Sequence, residues 1–391
     1  MPLLSDVHRL DRVDWNFPGT GTAPGSVHTI HWFPGNFIPQ IPSALIQVLS
    51  EPGDIVLDPF SGSGTTGVEA LRLGRHAVIS DRMSACVLIA SAKLAMIAGA
   101  LDRGVRHELL NRLTFDHECR SDQIGPRGEG GSLELNAWFA PDTLAQLRYI
   151  WSLIQQQGSP ATLKVLSALF SDVLFDCAAP GIALTRTGGR RRHHWGWVAD
   201  NVHPRALAEH DAIDRFRQRL IVLDEPELGL AGFANPGPSA SLVSQQDARN
   251  MALADNAVDL IVTSPPYVGV IDYTRANRLL YTWMGWSIAD ERRDEIGARF
   301  RRRRHSAIDE YLADMRCARD EIHRVLRAGA FCAVVLGESK SFPGTAARVF
   351  GNFGELMPIV WGPIPRHPSR RRVSDQAARD PVESVCVFRK R

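Results

Sequence analysis

The chain has 391 residues, 44% of them hydrophobic, with a formal net charge of +2 and six cysteines that form no C-x-x-C pair. That is enough apolar material for one large interrupted domain or about two to three ordinary ones. The small net charge excludes nucleic-acid binding driven by a whole-protein field, so any basic surface must be local, and the scattered cysteines argue against a disulfide framework or a zinc site.

The first residues, MPLLSDVHRLDRVDW, carry charges where a signal peptide would be apolar. No apolar run approaches the roughly 20 residues that span a membrane, so a soluble cytoplasmic protein without a membrane partner is expected. Residues 1–37 are rich in Gly, Pro and aromatic residues and read as irregular. A short amphipathic helix is predicted over 42–49, then a buried strand over 55–57 in GDIVLD. The glycine-rich FSGSGTT leads into a helix that stops at Gly74; HAVIS follows as a second strand, with a helix over 85–98. This α-β-α-β-α order is the pattern of a parallel sheet with crossover helices. Residues 38–99 thus form one half of an α/β domain. Residues 100–240 change character, with helical stretches at 141–157, 162–177 and 205–220 between polar, Arg- and Gly-rich loops, and read as a mainly helical insertion. The α/β pattern resumes over 241–391, with strands at 258–263, 331–337 and 384–388 and a long helix over 306–326.

The most informative stretch is V-L-D-P-F-S-G-S-G-T-T at 56–66. Gly62, Gly64 and Thr65 sit between a strand and a helix, where glycines allow a tight turn and a close approach of backbone to ligand. A P-loop is excluded because no G-K-[ST] follows, and G-x-G-x-x-G is incomplete. Asp81 ends the next strand, 23 positions after Asp58, where an acidic side chain binds ribose hydroxyls. Asp58, at the end of the first strand, would face a positive group. S-adenosylmethionine offers both a ribose and an amino group.

The second stretch is I-V-T-S-P-P-Y at 261–267. Two prolines fix φ and remove two donors, leaving carbonyls held rigidly toward a cleft. An exocyclic amine is a poor nucleophile because its lone pair is delocalised into the ring. Ser264 Oγ and the Pro265 carbonyl, with Pro266 stiffening the turn, form an acceptor pair for its two hydrogens. Tyr267 offers a stacking face for a base that has left the helix. Transfer is then a direct displacement in which positioning dominates. Cytosine C5 chemistry needs a cysteine nucleophile, and none of the six cysteines follows a proline.

Three arginine-rich runs, at 186–197, 299–305 and 366–372, are candidate phosphate contacts. Arg190, Arg191, Arg192 and Trp195 in the first, and Arg301, Arg302 and Arg303 in the second, are the residues expected to meet DNA. His193 and His194 have no partners at metal-ligand spacing, so no metal is expected.

D-P-F-x-G-S-G-T-T, E-A-x-x-x-G-R and the later T-S-P-P-Y resemble the amino-group (cytosine-N4 and adenine-N6) DNA methyltransferase family, over about 28–98 and 245–391. The resemblance implies a Rossmann-like methyltransferase sheet, mostly parallel with an antiparallel strand near the C-terminus, and S-adenosylmethionine as cofactor. It places Phe60 beside the cofactor and Asp247 near its adenine, and it makes 100–240 the target-recognition region. It implies double-stranded DNA with a flipped base as substrate, in a restriction-modification context with a cognate endonuclease as partner. The serine in T-S-P-P-Y resembles the cytosine-N4 version, and a serine hydroxyl that donates to cytosine N3 would favour the same base. Adenine N6, an RNA base, and a non-catalytic DNA-binding protein remain the alternatives. A nicotinamide oxidoreductase would leave the Pro-Pro-Tyr loop without a purpose.

Overall fold

The computed structural model describes residues 4–17, 26–35, 38–101, 103–113, 129–178, 207–223, 239–337, 345–366 and 383–391. Seven strands form the sheet: β1 (Ile55–Asp58), β2 (His76–Asp81), β3 (Ser241–Gln245), β4 (Val258–Thr263), β5 (Leu326–Gly337), β6 (Ile359–Arg366) and β7 (Glu383–Arg389). Their spatial order is β3-β2-β1-β4-β5-β7-β6. From β3 to β5 every pairing is parallel, and β7 runs antiparallel to both β5 and β6. This is the mostly parallel α/β sheet, with one antiparallel strand near the C-terminus, that the sequence pattern predicts.

The central strands are short apolar runs because both faces are covered. Val56, Leu260, Ala333 and Val387 face one core, while Leu57, Ile261, Val334 and Phe388 face the other. Alternate residues of one strand supply opposite faces, as the two-residue period requires. Two strands escape the sequence reading. β3 is the polar S-L-V-S-Q on one edge, and β6, at the other edge, carries Gly362, Pro363 and Pro365. Edge strands tolerate proline and need no continuous apolar run.

The segment 100–240 contributes the helices Pro141–Gln155 and Pro160–Cys177, close to the expected spans, Ala212–Val222, which starts seven residues later than expected, and also Arg103–Arg112 and Glu129–Asn136. Its apolar faces do not make a separate core. Ile154, Leu166 and Phe170 join the same buried cluster as Leu260 and Trp283. Phe170 lies 5.1 Å from the Trp151 ring and 4.9 Å from that of Trp283. The N-terminal segment is tied to the same helix, since Asp172 accepts from the Trp32 amide at 2.6 Å and from Arg219 at 2.7 Å. None of the described helices is long and apolar enough to cross a membrane. Of the six cysteines, Cys86, Cys177, Cys317, Cys332 and Cys386 are free thiols, and Cys119 lies outside the described residues.

The turn after β1 decides how tightly the helix Ser84–Ile97 packs. Gly64 has φ +83°, and a Cβ there would stand 2.9 Å from Ala90 Cβ and 3.0 Å from its Cα. Gly64→Ala should therefore combine left-handed strain of about 1–2 kcal/mol with displacement of a helix backbone. Urea denaturation should show a loss of at least about 2 kcal/mol, and a loss below about 0.5 kcal/mol would mean that the turn relaxes freely.

Candidate active site

The chain leaves β1 toward β2 and β3 on one side, and β4 leads to β5 on the other, so the order reverses between β1 and β4. Ligands of open α/β sheets bind beyond the carboxyl ends of the strands at such a switch point. Here the glycine loop leaves β1 and the Ser-Pro-Pro-Tyr loop leaves β4, side by side. Asp58 and Thr263 end the two strands, and the Thr263 hydroxyl donates to Asp58 Oδ1 at 2.7 Å. Asp58 is buried and also accepts from the Phe60 amide at 3.1 Å. Burial pushes its carboxyl up to about 6, against the pull of the Thr263 hydrogen bond.

A cleft opens at this point, lined among others by Phe60, Gly62, Asp81, Asp247, Ser264 and Pro266. Six of the residues singled out from the sequence thus meet in one cavity. Asp58, Gly64 and Thr65 are buried beside it. Gly62, φ +50°, presents its backbone to the cleft, whereas Gly64 backs onto Ala90. The two glycines were expected to serve the ligand together, but the second is required by helix packing.

Asp81 binds both sides of the cleft floor. Its Oδ2 accepts from the Gly62 amide and its Oδ1 from the Met83 amide, each at 2.9 Å. Burial raises its carboxyl to about 6 while these two amides pull it down. Asp247 is clasped by Arg249 at 2.6 Å, and Arg249 also reaches Asp314 at 2.6 Å. Burial raises the Asp247 carboxyl, but the Arg249 contacts outweigh it and hold the group below the ordinary carboxylate range. Asp294 lines the cleft and pairs with Arg82 at 2.5 Å. The lining is thus rich in carboxylates and suits a ligand carrying positive charge.

The proline loop is held from behind. Ser264 donates its hydroxyl proton to the Val335 carbonyl at 3.2 Å, which leaves its lone pairs to accept. The expected donation from this hydroxyl to a ring nitrogen is therefore not made in this arrangement, because its one proton is already committed. Tyr311 donates to the Pro266 carbonyl at 3.0 Å, while no hydrogen bond reaches the Pro265 carbonyl among the described residues. Tyr267 leans on Gly337, where any Cβ would collide with its ring, and its hydroxyl reaches Glu383 at 3.4 Å.

Several contributors carried no motif. Phe33 covers Gly62 and stacks on Tyr273, a cleft residue, with centroids 5.7 Å apart. Glu291 takes hydrogen bonds from Ser84, Tyr281 and Gln245, fixing the turn after β2. Lys93 is completely buried, and its Nζ donates to Ser63 of the glycine loop at 3.0 Å. It is the one charged residue in S-A-C-V-L-I-A-S-A-K-L-A-M-I, a signal that was visible in the sequence.

Of the second arginine run, Arg301 is tucked in, donating to the Arg293 carbonyl and standing 3.9 Å from Glu310. Arg302 is half-buried and Arg303 exposed. The neighbouring Phe300 carries the guanidinium of Arg292 at 3.9 Å over its face. Arg190, Arg191, Arg192 and Trp195 lie outside the described residues, as does the third run beyond Arg366. Among the described residues no group of His, Cys, Asp or Glu is placed to hold a metal ion.

Burial lowers the Lys93 ammonium to about 7 from 10.5. A depressed lysine means that the unfolded chain binds the extra proton, so stability should rise with pH from about 7 to about 10.5. The slope for one proton is up to roughly 1.4 kcal/mol per pH unit. Urea melts across that window should show Lys93→Met lacking this rise relative to the parent protein. Parallel pH profiles would mean that Lys93 finds solvent.

Residues 11–91 match the family described as DNA methylase. The Type II methyltransferase M.MjaII of Methanocaldococcus jannaschii is 41% identical over 68 residues, which are 17% of this chain. That stretch is 13% of the length of the relative. Among solved structures, the rRNA methyltransferase aviRa from Streptomyces viridochromogenes aligns at 14% identity and TM-score 0.33, over 94% of this chain and 90% of that one. A SAM-dependent methyltransferase from Methanosarcina mazei aligns at 10% identity and TM-score 0.34, over 88% of this chain and 96% of that one. Scores this low add nothing to the strand order described above. The likeness to the DNA methylase family thus covers residues 11–91, the segment that holds β1, the glycine loop and β2.

Proposed function

We propose that the protein transfers the methyl group of S-adenosylmethionine to an exocyclic amine of a base in double-stranded DNA, with cytosine N4 as the target. The single observation that carries this reading is that the glycine loop, Ser264 and Pro266 line one cleft.

The residues fit the cofactor. Asp81 would hold its ribose, Phe60 would lie beside it, and Asp247 with Ala248 would border its adenine. The carboxylates along the wall favour a sulfonium and an ammonium group. When bound, the cofactor supplies an electrophilic methyl group. The chain supplies position. Ser264 Oγ, its own proton engaged by Val335, accepts one amine hydrogen, and the Pro265 carbonyl accepts the other. With both hydrogens held, the nitrogen lone pair turns out of the ring plane. Tyr267, seated on Gly337, offers its face to the flipped base. No covalent intermediate is needed, so no cysteine nucleophile is required; as the nitrogen gained the methyl group its bond to sulfur would break, and one amine proton would be released to solvent.

The resemblance of T-S-P-P-Y supports cytosine over adenine, and the chemistry of two acceptors serves both. Arg303, with Arg301 and Arg302 beside it, and Arg190, Arg191, Arg192 and Trp195 of the insertion are the proposed contacts to DNA phosphates. Residues 100–240 are the proposed target-recognition region, in a restriction-modification setting with a partner endonuclease.

Asp81→Ala removes a carboxylate that holds the loop and, in this reading, the ribose. Loss of a hydrogen bond to a charged group costs about 1.5–3 kcal/mol, roughly 10- to 150-fold in affinity. Calorimetry should show S-adenosylmethionine binding weakened by that factor; unchanged affinity in a folded variant rules the role out.

The reaction itself is tested by incubating unmodified plasmid DNA with methyl-labelled cofactor and digesting the product to nucleosides. Label should appear in N4-methylcytidine. Label in N6-methyladenosine alone transfers the reading to adenine, and label only with RNA removes DNA as substrate.

A further inference from the structure

Beside the cleft lies a buried pair of acids that the reaction does not use. The segment after the proline loop runs along residues 295–299, tied by Gly269 N to the Gly297 carbonyl at 2.8 Å and Arg299 N to the Ile271 carbonyl at 3.0 Å. Asp272 and Glu295 face each other across this junction, both almost wholly buried. Arg292 pairs with Asp272 Oδ2 at 3.0 Å. Among the described residues no cation pairs with Glu295. Its Oε1 accepts from the Tyr273 amide at 2.5 Å.

Thr274 stands between the two acids, with no exposed surface. Its hydroxyl is 3.1 Å from Asp272 Oδ1 and 2.9 Å from Glu295 Oε2. A hydroxyl has one proton to donate. It can satisfy one carboxylate, and the second short contact then requires a proton on the other acid. Asp272 has Arg292 as an ion-pair partner and Glu295 has no cation partner among the described residues, so the proton is placed on Glu295.

We propose that Glu295 is a positioning residue that acts as a neutral carboxylic acid, donating to Thr274 Oγ1, which donates to Asp272, so that the pair clamps Tyr273 as a wall of the cofactor cleft. The clamp reaches the glycine loop because Tyr273 stacks on Phe33 and Phe33 lies over Gly62. Burial first, and then the charge of Asp272, push the Glu295 carboxyl up to about 8. The other groups around it are Asp81, Arg82 and Cys86 at the end of β2, Glu291 and Asp294 with Arg292, and Asp247 with Arg249. Asp81 titrates at about 6 and the buried Cys86 thiol well above its usual range, so neither changes state near 8. Lys93, at about 7, lies under Ser63 and must be separated by a variant.

The role at the cleft rests on the cofactor reading above, so the experiment has two independent arms. In the first, the unliganded full-length protein is labelled with 13C at the glutamate carboxyl carbon, and the Glu295 resonance is assigned by its absence in Glu295→Gln. It should titrate near 8; titration in the ordinary range near about 4.3 overturns the protonation chain whether or not any cofactor binds. In the second, S-adenosylmethionine binding is followed by calorimetry from pH 7 to pH 9.5. The parent protein should lose affinity as pH rises through about 8, because ionised Glu295 repels Asp272. Glu295→Gln, whose amide reproduces both the acceptor and the donor, should bind within about twofold of the parent at pH 7 and lose that alkaline decline. Glu295→Ala should bind at least about tenfold more weakly at every pH. Glutamine as weak as alanine, or a parent profile that stays flat, overturns the clamp. Absence of binding by every protein while the first arm succeeds refutes the cofactor reading and the clamp's role in it, leaving the protonated acid standing.

Discussion

The hydrogen bond from Thr263 to Asp58 joins the ends of β1 and β4 at the one place where the sheet reverses its winding. Everything chemical hangs from these two strand ends. The glycine loop starts one residue after Asp58, and the proline loop starts one residue after Thr263. A buried carboxylate must be hydrogen-bonded to be tolerated, and Asp58 meets that demand by accepting from one loop's own backbone and from the neighbouring strand. Its partners are thus the two elements that have to stay in register. A polar residue that would weaken an ordinary core here sets the spacing between the two loops.

Around that joint the site is built from the rear. Val335 takes the Ser264 proton, Tyr311 takes up the Pro266 carbonyl, and Gly337 leaves room for Tyr267. Val335 and Gly337 belong to β5, whose alternate residues enter both core clusters, and Tyr311 belongs to the helix Ala307–Val325 in the second. Rigidity in that core therefore becomes rigidity in the loop, which is what a reaction dominated by positioning requires. The first cluster lies on the opposite face, where the insertion's helices pack onto the helix Ser84–Ile97 as a further layer. Cutting the insertion away would expose Leu166 and Phe170 along with the face of the helix Ser84–Ile97 on which their helix packs.

Charge is managed locally throughout. The cleft gathers Asp81, Asp247, Asp294 and Glu295, and each is treated differently. Asp81 is bonded to backbone amides, Asp247 is paired with Arg249, Asp294 is paired with Arg82, and among the described residues no cation pairs with Glu295. With a whole-chain charge of only +2, none of this follows from composition. It follows from which short contacts survive burial.

The sequence alone determined the sheet's central strands and both loops, because their signals are local. An apolar run flanked by turn residues, a glycine pair after an acidic strand end, and Pro-Pro-Tyr after V-D-L-I-V-T each report conformation within a dozen residues. It determined the helices Pro141–Gln155 and Pro160–Cys177 for the same reason. The edge strands β3 and β6 stayed hidden because an edge has neither the burial nor the alternation that produces a readable pattern. Only the tertiary structure decided that Gly64 serves a helix and Gly62 the cleft, since that depends on Ala90, 26 positions away. It alone brought Phe33 over the glycine loop, committed the Ser264 proton to Val335, and set Thr274 between two acids. Those are contacts between segments far apart in the chain. Their energies depend on burial and on which proton is available, and neither quantity is written in any one stretch of residues.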